Sequence, residues 1–115
     1  MRRGEVRVVD LEPERGSESN KRRPAVIVSN DGANQTASHL GRGVLAIVPL
    51  TSNVRRVLPF QVLIPGGTGG PDRPAKAQAE QLRSVAVERV GRFIGTLPAP
   101  LMGAIDEAIR LHLAL

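Results

Sequence analysis

The 115-residue chain contains no cysteine, no tryptophan and no tyrosine, and only two phenylalanines, Phe60 and Phe93. Without cysteine there is no disulfide, no thiolate metal site and no cysteine nucleophile, and nothing calls for an oxidising compartment. With so few rings the core must be built from Val, Leu, Ile and Ala, and stacking of bases on aromatic side chains is a restricted route to nucleic acid. No apolar run approaches the ~20 residues of a membrane span, and the opening MRRGEVRVVDL lacks the continuous apolar stretch of a signal peptide. A soluble, cytoplasmic protein is the expectation. Negative charge is also missing from a long section: Gly32 to Gly70 holds no Asp or Glu, while Arg42, Arg55 and Arg56 lie inside it. The whole chain has 16 Lys and Arg against 11 Asp and Glu. The gap therefore predicts a surface of one sign, which suits an anionic partner as well as an ordinary solvated face.

What is present reads as a single domain over 1–115, large enough for one hydrophobic core and not for two. Val6, Val8, Val9 and Leu11 suggest a first strand of imperfect period two. The polar run EPERGSESNKR ends it and should lie on the surface. PAVIVS, residues 24–29, is short, apolar and rich in β-branched residues, as in a strand buried on both faces, and a proline is tolerated at its start. NDGANQTASHLGRG reads as a second long loop. VLAIVPL (44–50) and RRVLPFQVLI (55–64) read as two more strands, each interrupted by a proline. PGGTGGPDRP is expected to be a flexible, turn-rich loop.

Further short strands are expected around Ala79–Val85 and Arg92–Leu97, with a turn or one helical turn at Val87–Val90. In PAPLMGAIDEAIRLHLAL, Leu101, Ile105, Ala108, Ile109 and Leu113 recur at helical spacing, and Pro100 suits a first turn. Five to seven short strands, one terminal helix and no βα alternation predict a small, mostly antiparallel β-barrel with a C-terminal α-helix.

Several machineries find no support. PGGTGGP lacks the Lys and following Ser or Thr of a phosphate-binding loop, and neither His39 nor His112 has a partner at metal-ligand spacing. His39 is a general-base candidate that a solvated loop residue would also explain. His112, among leucines, suits packing. The remaining chemistry gathers at two strand ends. Arg23 precedes Pro24, which restricts it to extended backbone, and Thr51 and Ser52 follow VLAIVPL. If those strands are neighbours, a guanidinium and two hydroxyls converge, a donor set suited to a phosphodiester. The plainer alternative is that Arg23 pairs with Glu18 or another carboxylate and that Thr51 and Ser52 form a turn.

The segments GEVRVVDLEPERGSESNKRRPAVIVSN, VLAIVPLTSN, LPFQVLI and AEQLRSVAVERVGRFIGTL, in this order, resemble the MazF/PemK toxin endoribonucleases of type II toxin–antitoxin systems. The resemblance implies an SH3-like barrel with a terminal helix, forming a homodimer that cleaves single-stranded RNA with no metal or cofactor. It implies that Arg23 and Thr51 carry the reaction and that Glu18 is tied to activity. Lys21, Arg22, Ser52, Asn53, Arg55, Arg56 and Gln81 would contact the RNA, and an acidic, MazE-like antitoxin tail would lie across the basic groove. In such a site the ribose 2′-hydroxyl attacks its own phosphate and arginine steadies the developing charge. Arginine stays charged and is a poor base, so Glu18 could either orient Arg23 or take the 2′ proton. The first strand, VRVVDL, has no aromatic where many relatives carry one, so recognition would lean on base edges and loop shape. A non-catalytic nucleic-acid-binding barrel is the alternative reading.

Overall fold

The computed structural model describes residues 1–11 and 21–115. Its strands are β1 (Glu5–Asp10), β2 (Arg22–Ile27), β3 (Val44–Thr51), β4 (Gln61–Ile64), β5 (Ala75–Gln78), β6 (Arg83–Ala86) and β7 (Val90–Thr96). Two helices, α1 (Asp31–Leu40) and α2 (Ala99–Leu113), complete it, with 3-10 turns at Ala79–Gln81 and Val87–Arg89. All pairings are antiparallel, in the order β4-β5-β3-β2-β1-β7 with β6 added on β3. The expected antiparallel class with a terminal helix is present, but the sheet does not close, because β4 and β7 end the path without pairing to one another.

β2 is the strand that PAVIVS suggests. Val26 joins a cluster with Val6, Val48, Leu50, Ile64, Met102 and Ile105, whereas Ala25 and Ile27 join one with Val9, Leu45, Ile47, Val85 and Ala37. Successive side chains of a strand point to opposite faces, so β2 separates two cores, one under α2 and one under α1. The pairing of β1 with β7 shifts register on both sides of Arg7, with the extra residues on β7. Alternation along β1 puts Val6 in one core and Val9 and Leu11 in the other.

β3 has two neighbours on one edge. Val44 to Ile47 pair with β6, and Leu50 and Thr51 pair with β5, while the turn Ala79–Gln81 takes up the offset between them. Pro49, which has no N–H, lies in the gap between the two pairings, where no ladder bond is demanded of it.

Several expectations about the chain's segments need correction. NDGANQTASHLGRG is not a loop but contains α1. The Asn30 side chain caps it by accepting from Ala33 N at 2.8 Å, and Gly41 closes it in the left-handed conformation, φ 66°. Asn34, fully buried, donates through Nδ2 to the Ser29 carbonyl at 2.9 Å and accepts from the Ser29 hydroxyl, so polar contacts replace the missing apolar stripe. The strand expected over 55–64 begins only at Gln61, because Arg55–Leu58 is irregular backbone held by side chains and Pro59–Phe60 is a turn. Gln61 Oε1 accepts from Leu58 N at 3.0 Å, and Lys76 Nζ donates to the Arg56 carbonyl at 2.5 Å. AKAQ, part of an unassigned stretch, is β5.

The glycine-rich segment 65–74 is the expected turn-rich loop, and several of its glycines sit at close backbone contacts. Gly69 has φ +97°, and a Cβ there would collide with the carbonyl of Thr96; one on Gly95 would collide with the carbonyl of Gly69. These glycines permit two backbones to touch. Gly67 N also donates to Pro71 O at 3.1 Å, and Thr68 Oγ1 to Pro65 O at 2.6 Å.

The terminal helix follows its periodicity. Met102, Ile105 and Ala108 are buried, Pro100 lies in the first turn, and Gly103 is exposed with nothing near where a Cβ would stand. Among the described residues no helix is long and apolar enough to cross a membrane.

Candidate active site

β2 and β3 run antiparallel with Ala25 opposite Pro49, Val26 opposite Val48 and Ile27 opposite Ile47. Followed two residues further, that register leads to Arg23 and Thr51. Both side chains line one cavity of about 320 Å³. The two strand ends that were candidates on chemical grounds are therefore adjacent. Pro24, fixed in φ, begins the buried part of β2 and keeps Arg23 in the ladder opposite Val9 of β1.

Lys21, Arg22 and Ser52 line the same cavity, as does Arg73 from the glycine-rich segment. Its floor is apolar, with Leu50, Ala75 and the rings of Pro24, Pro71 and Pro74. Among the described residues no carboxylate lines it. Four cations around an apolar floor make a site whose potential is positive and whose depth is partly shielded from water, conditions under which a charge-assisted hydrogen bond gains strength. Lys21 has φ 60°, a backbone region that non-glycine side chains rarely adopt. Its carbonyl accepts from Leu11 N at 2.8 Å, so β1 holds the turn that presents the three consecutive cations.

Thr51 Oγ1 accepts from Asn53 N at 3.3 Å. With that bond the hydroxyl is oriented by the backbone and keeps its proton to donate elsewhere. Asn53 Oδ1 in turn accepts from Arg55 N at 3.3 Å. Asn53, Arg55 and Arg56 are exposed on the segment that follows Thr51 and do not line the cavity. Gln81 is half-buried in the turn Ala79–Gln81, also off the cavity wall. Glu18 lies outside the described residues. His39 sits in the last turn of α1, not on a loop, and His112 packs near Phe60 with ring centroids 6.1 Å apart. Among the described residues no group of three His, Asp or Glu is placed to hold a metal ion.

Two residues were missed by sequence reasoning. Arg73 stands in a run that reads only as a loop. Lys76 is buried, pairs with Thr51 across β3 and β5, and ties down the segment 52–60 through the Arg56 carbonyl. A lysine alternating with alanines in AKAQ, residues 75–78, was the available signal for a strand with one polar anchor.

The chain is 57% identical over 115 residues to the endoribonuclease MazF9 of Mycobacterium tuberculosis, a match covering 100% of this chain and 98% of that protein. It is 29% identical over 116 residues to the endoribonuclease EndoA of Bacillus subtilis, covering 100% and 96% respectively. In fold it resembles the MazF crystal structure from Deinococcus radiodurans, with TM-score 0.83 at 22% identity over 100% of this chain and 97% of that one. A mycobacterial endoribonuclease in complex with its cognate antitoxin gives TM-score 0.78 at 23% identity, over 100% and 96%. The family model for the PemK-like, MazF-like toxin of type II toxin–antitoxin systems matches residues 2–113. Sequence, fold and the meeting of two strand ends agree, and the chain belongs to the PemK-like, MazF-like toxin family.

Proposed function

We propose that this chain is a toxin endoribonuclease that cuts single-stranded RNA at chosen sequences, messenger RNA foremost, by attack of the ribose 2′-hydroxyl on the adjacent phosphate. The observation that carries the reading is the cavity shared by Arg23 and Thr51 at the ends of two neighbouring strands. In that reaction the 2′-oxygen bonds to phosphorus, the bond to the 5′-oxygen breaks, the 2′ proton passes to a base and the leaving oxygen is protonated. The products are a 2′,3′-cyclic phosphate and a 5′-hydroxyl. Arg23 holds the non-bridging oxygens and offsets the charge of the pentacoordinate phosphorane, and Thr51 donates to one of them. Glu18 is the carboxylate assigned to orient Arg23 or to receive the 2′ proton. Lys21 and Arg22 draw the backbone to the strand mouth, and Ser52, Asn53, Arg55, Arg56 and Gln81 contact flanking nucleotides.

The attacking group belongs to the substrate, so the step as drawn uses no external nucleophile or cofactor. The same one-signed face suits an acidic antitoxin tail that orders on binding and covers the cavity. Relatives include structures solved with a cognate antitoxin or with MazE. A substrate and an antagonist of this kind place the toxin in the cytoplasm. Exposed Leu111, Leu113 and Leu115 at the end of α2 offer apolar surface to a second copy, as a homodimer would use. Residues 1–115 act as one domain in this reading.

The test is cleavage of a defined single-stranded RNA in EDTA. Wild type is expected to yield 5′-hydroxyl ends, and Arg23→Ala to lose activity while its circular dichroism is unchanged. A folded Arg23→Ala protein that cuts normally, or a wild type that binds RNA and leaves it intact, overturns the reading.

A further inference from the structure

We propose that Arg73 is a second phosphate-binding cation of the RNA site, held out to the substrate by the glycine-clamped segment 65–74 as a fixed arm; the proposal rests on the endoribonuclease reading of the cavity.

Three observations carry it. Arg73 lines the same cavity as Arg23 and Thr51, although it lies far from both in the chain. Its residue is exposed, and among the described residues its side chain forms no ion pair, so its donors face solvent and not a structural partner. The segment that presents it has little freedom. Gly69 and Gly95 touch through their backbones, Gly66 packs against the Asp72 carbonyl so closely that a Cβ would collide with it, and Gly67 N is bonded to Pro71 O. Pro71 and Pro74 flank Asp72 and Arg73 with fixed φ.

The chemistry follows from the arrangement. An RNA strand carries one phosphate per nucleotide, so a guanidinium on a different wall from Arg23 is suited to a neighbouring phosphate and not to the scissile one. The proline and aliphatic floor then lies where the intervening base would rest, which is a stacking surface without aromatic rings. A guanidinium on a rigid arm loses less freedom on binding than one on a mobile loop.

Binding is measured on a single-stranded 2′-O-methyl oligonucleotide, which cannot be cut, by fluorescence anisotropy across a range of salt. Arg73→Ala is expected to lower the slope of log affinity against log salt by about 0.7, the value for one lost phosphate on a single strand. In cleavage assays it should raise KM roughly 10-fold with kcat within a factor of about 3, the size expected for one charged hydrogen bond at a partly exposed site. Arg73→Lys should restore the slope. Gly95→Ala, which displaces the arm without removing a charge, should reproduce the Arg73→Ala slope. An Arg73→Ala protein with the wild-type slope and KM overturns the proposal, and a Gly95→Ala protein with a wild-type slope overturns the fixed arm. The slope is read on uncleavable RNA, so a wild type that binds and does not cut sinks the nuclease reading alone. One that does not bind sinks both.

Discussion

On one wall of the cavity Arg23 and Thr51 stand at the ends of neighbouring strands, in a register that the ladder dictates. On the other, Arg73 stands on a segment with no strand at all, fixed because glycine backbones come closer than any side chain would permit. The first wall is secured by hydrogen bonds and buried aliphatics, the second by the absence of Cβ atoms. Both are rigid, and the difference lies in what breaks them. A ladder tolerates most side-chain changes on its exposed face, whereas a glycine contact tolerates none.

That contrast can be tested from the strongest effect down. Gly69→Ala adds a Cβ against the Thr96 carbonyl at φ +97°, and thermal or urea unfolding should report a loss of about 3–5 kcal/mol, combining overpacking with left-handed strain. A loss under about 1 kcal/mol would mean that the second wall is not clamped. Thr51→Ala should leave stability within about 1 kcal/mol and lower kcat about 100-fold, the usual result of deleting one donor to a developing oxyanion. Thr51→Ser should recover most of it, and equal loss in both would move the hydroxyl out of the reaction.

Lys76→Met removes the bond to the Arg56 carbonyl from beneath the first wall. It should cost about 1 kcal/mol and speed limited proteolysis within 52–60. Unchanged cleavage there would show that the segment has other anchors. Gly103→Ala lies on the exposed face of α2, outside both walls. It should raise stability by up to about 1 kcal/mol without touching catalysis, which sets the scale for a glycine kept without steric need. A destabilised Gly103→Ala protein would overturn that distinction between glycines.

How much of this could be read from the residues depends on which force holds each part. β2, most of β3 and α2 are legible because VIV, VLAIVPL and the spacing of Leu101, Ile105 and Ile109 concentrate apolar burial where periodicity exposes it. Arg23 and Thr51 were legible for the same reason, since each adjoins such a run. α1 was not, because only Asn34 and Ala37 are buried in it and its anchors are an asparagine cap and an asparagine–serine pair, residue types that also signal turns. β5 is too short and too rich in alanine to reveal itself. The close contacts of the glycine-rich segment were not legible, because glycine serves slack chain and tight contact alike, and only the path of the backbone tells them apart. Arg73 depends on that path and nothing local marks it, whereas Lys76 is marked only by its alternation with alanines in a four-residue strand. Conversely, Asn53, Arg55, Arg56 and Gln81 follow the motifs in sequence but stand off the cavity that the motifs build.

β3 borders β2 along one side and β6 and β5 along the other. A strand enclosed in this way has no private route to opening, since freeing it means parting three seams together. The amide protons of Ile47, Val48 and Leu50 should therefore exchange with solvent only when the molecule comes apart as a unit. A protease would find the chemistry-bearing end of that strand among the last segments to yield.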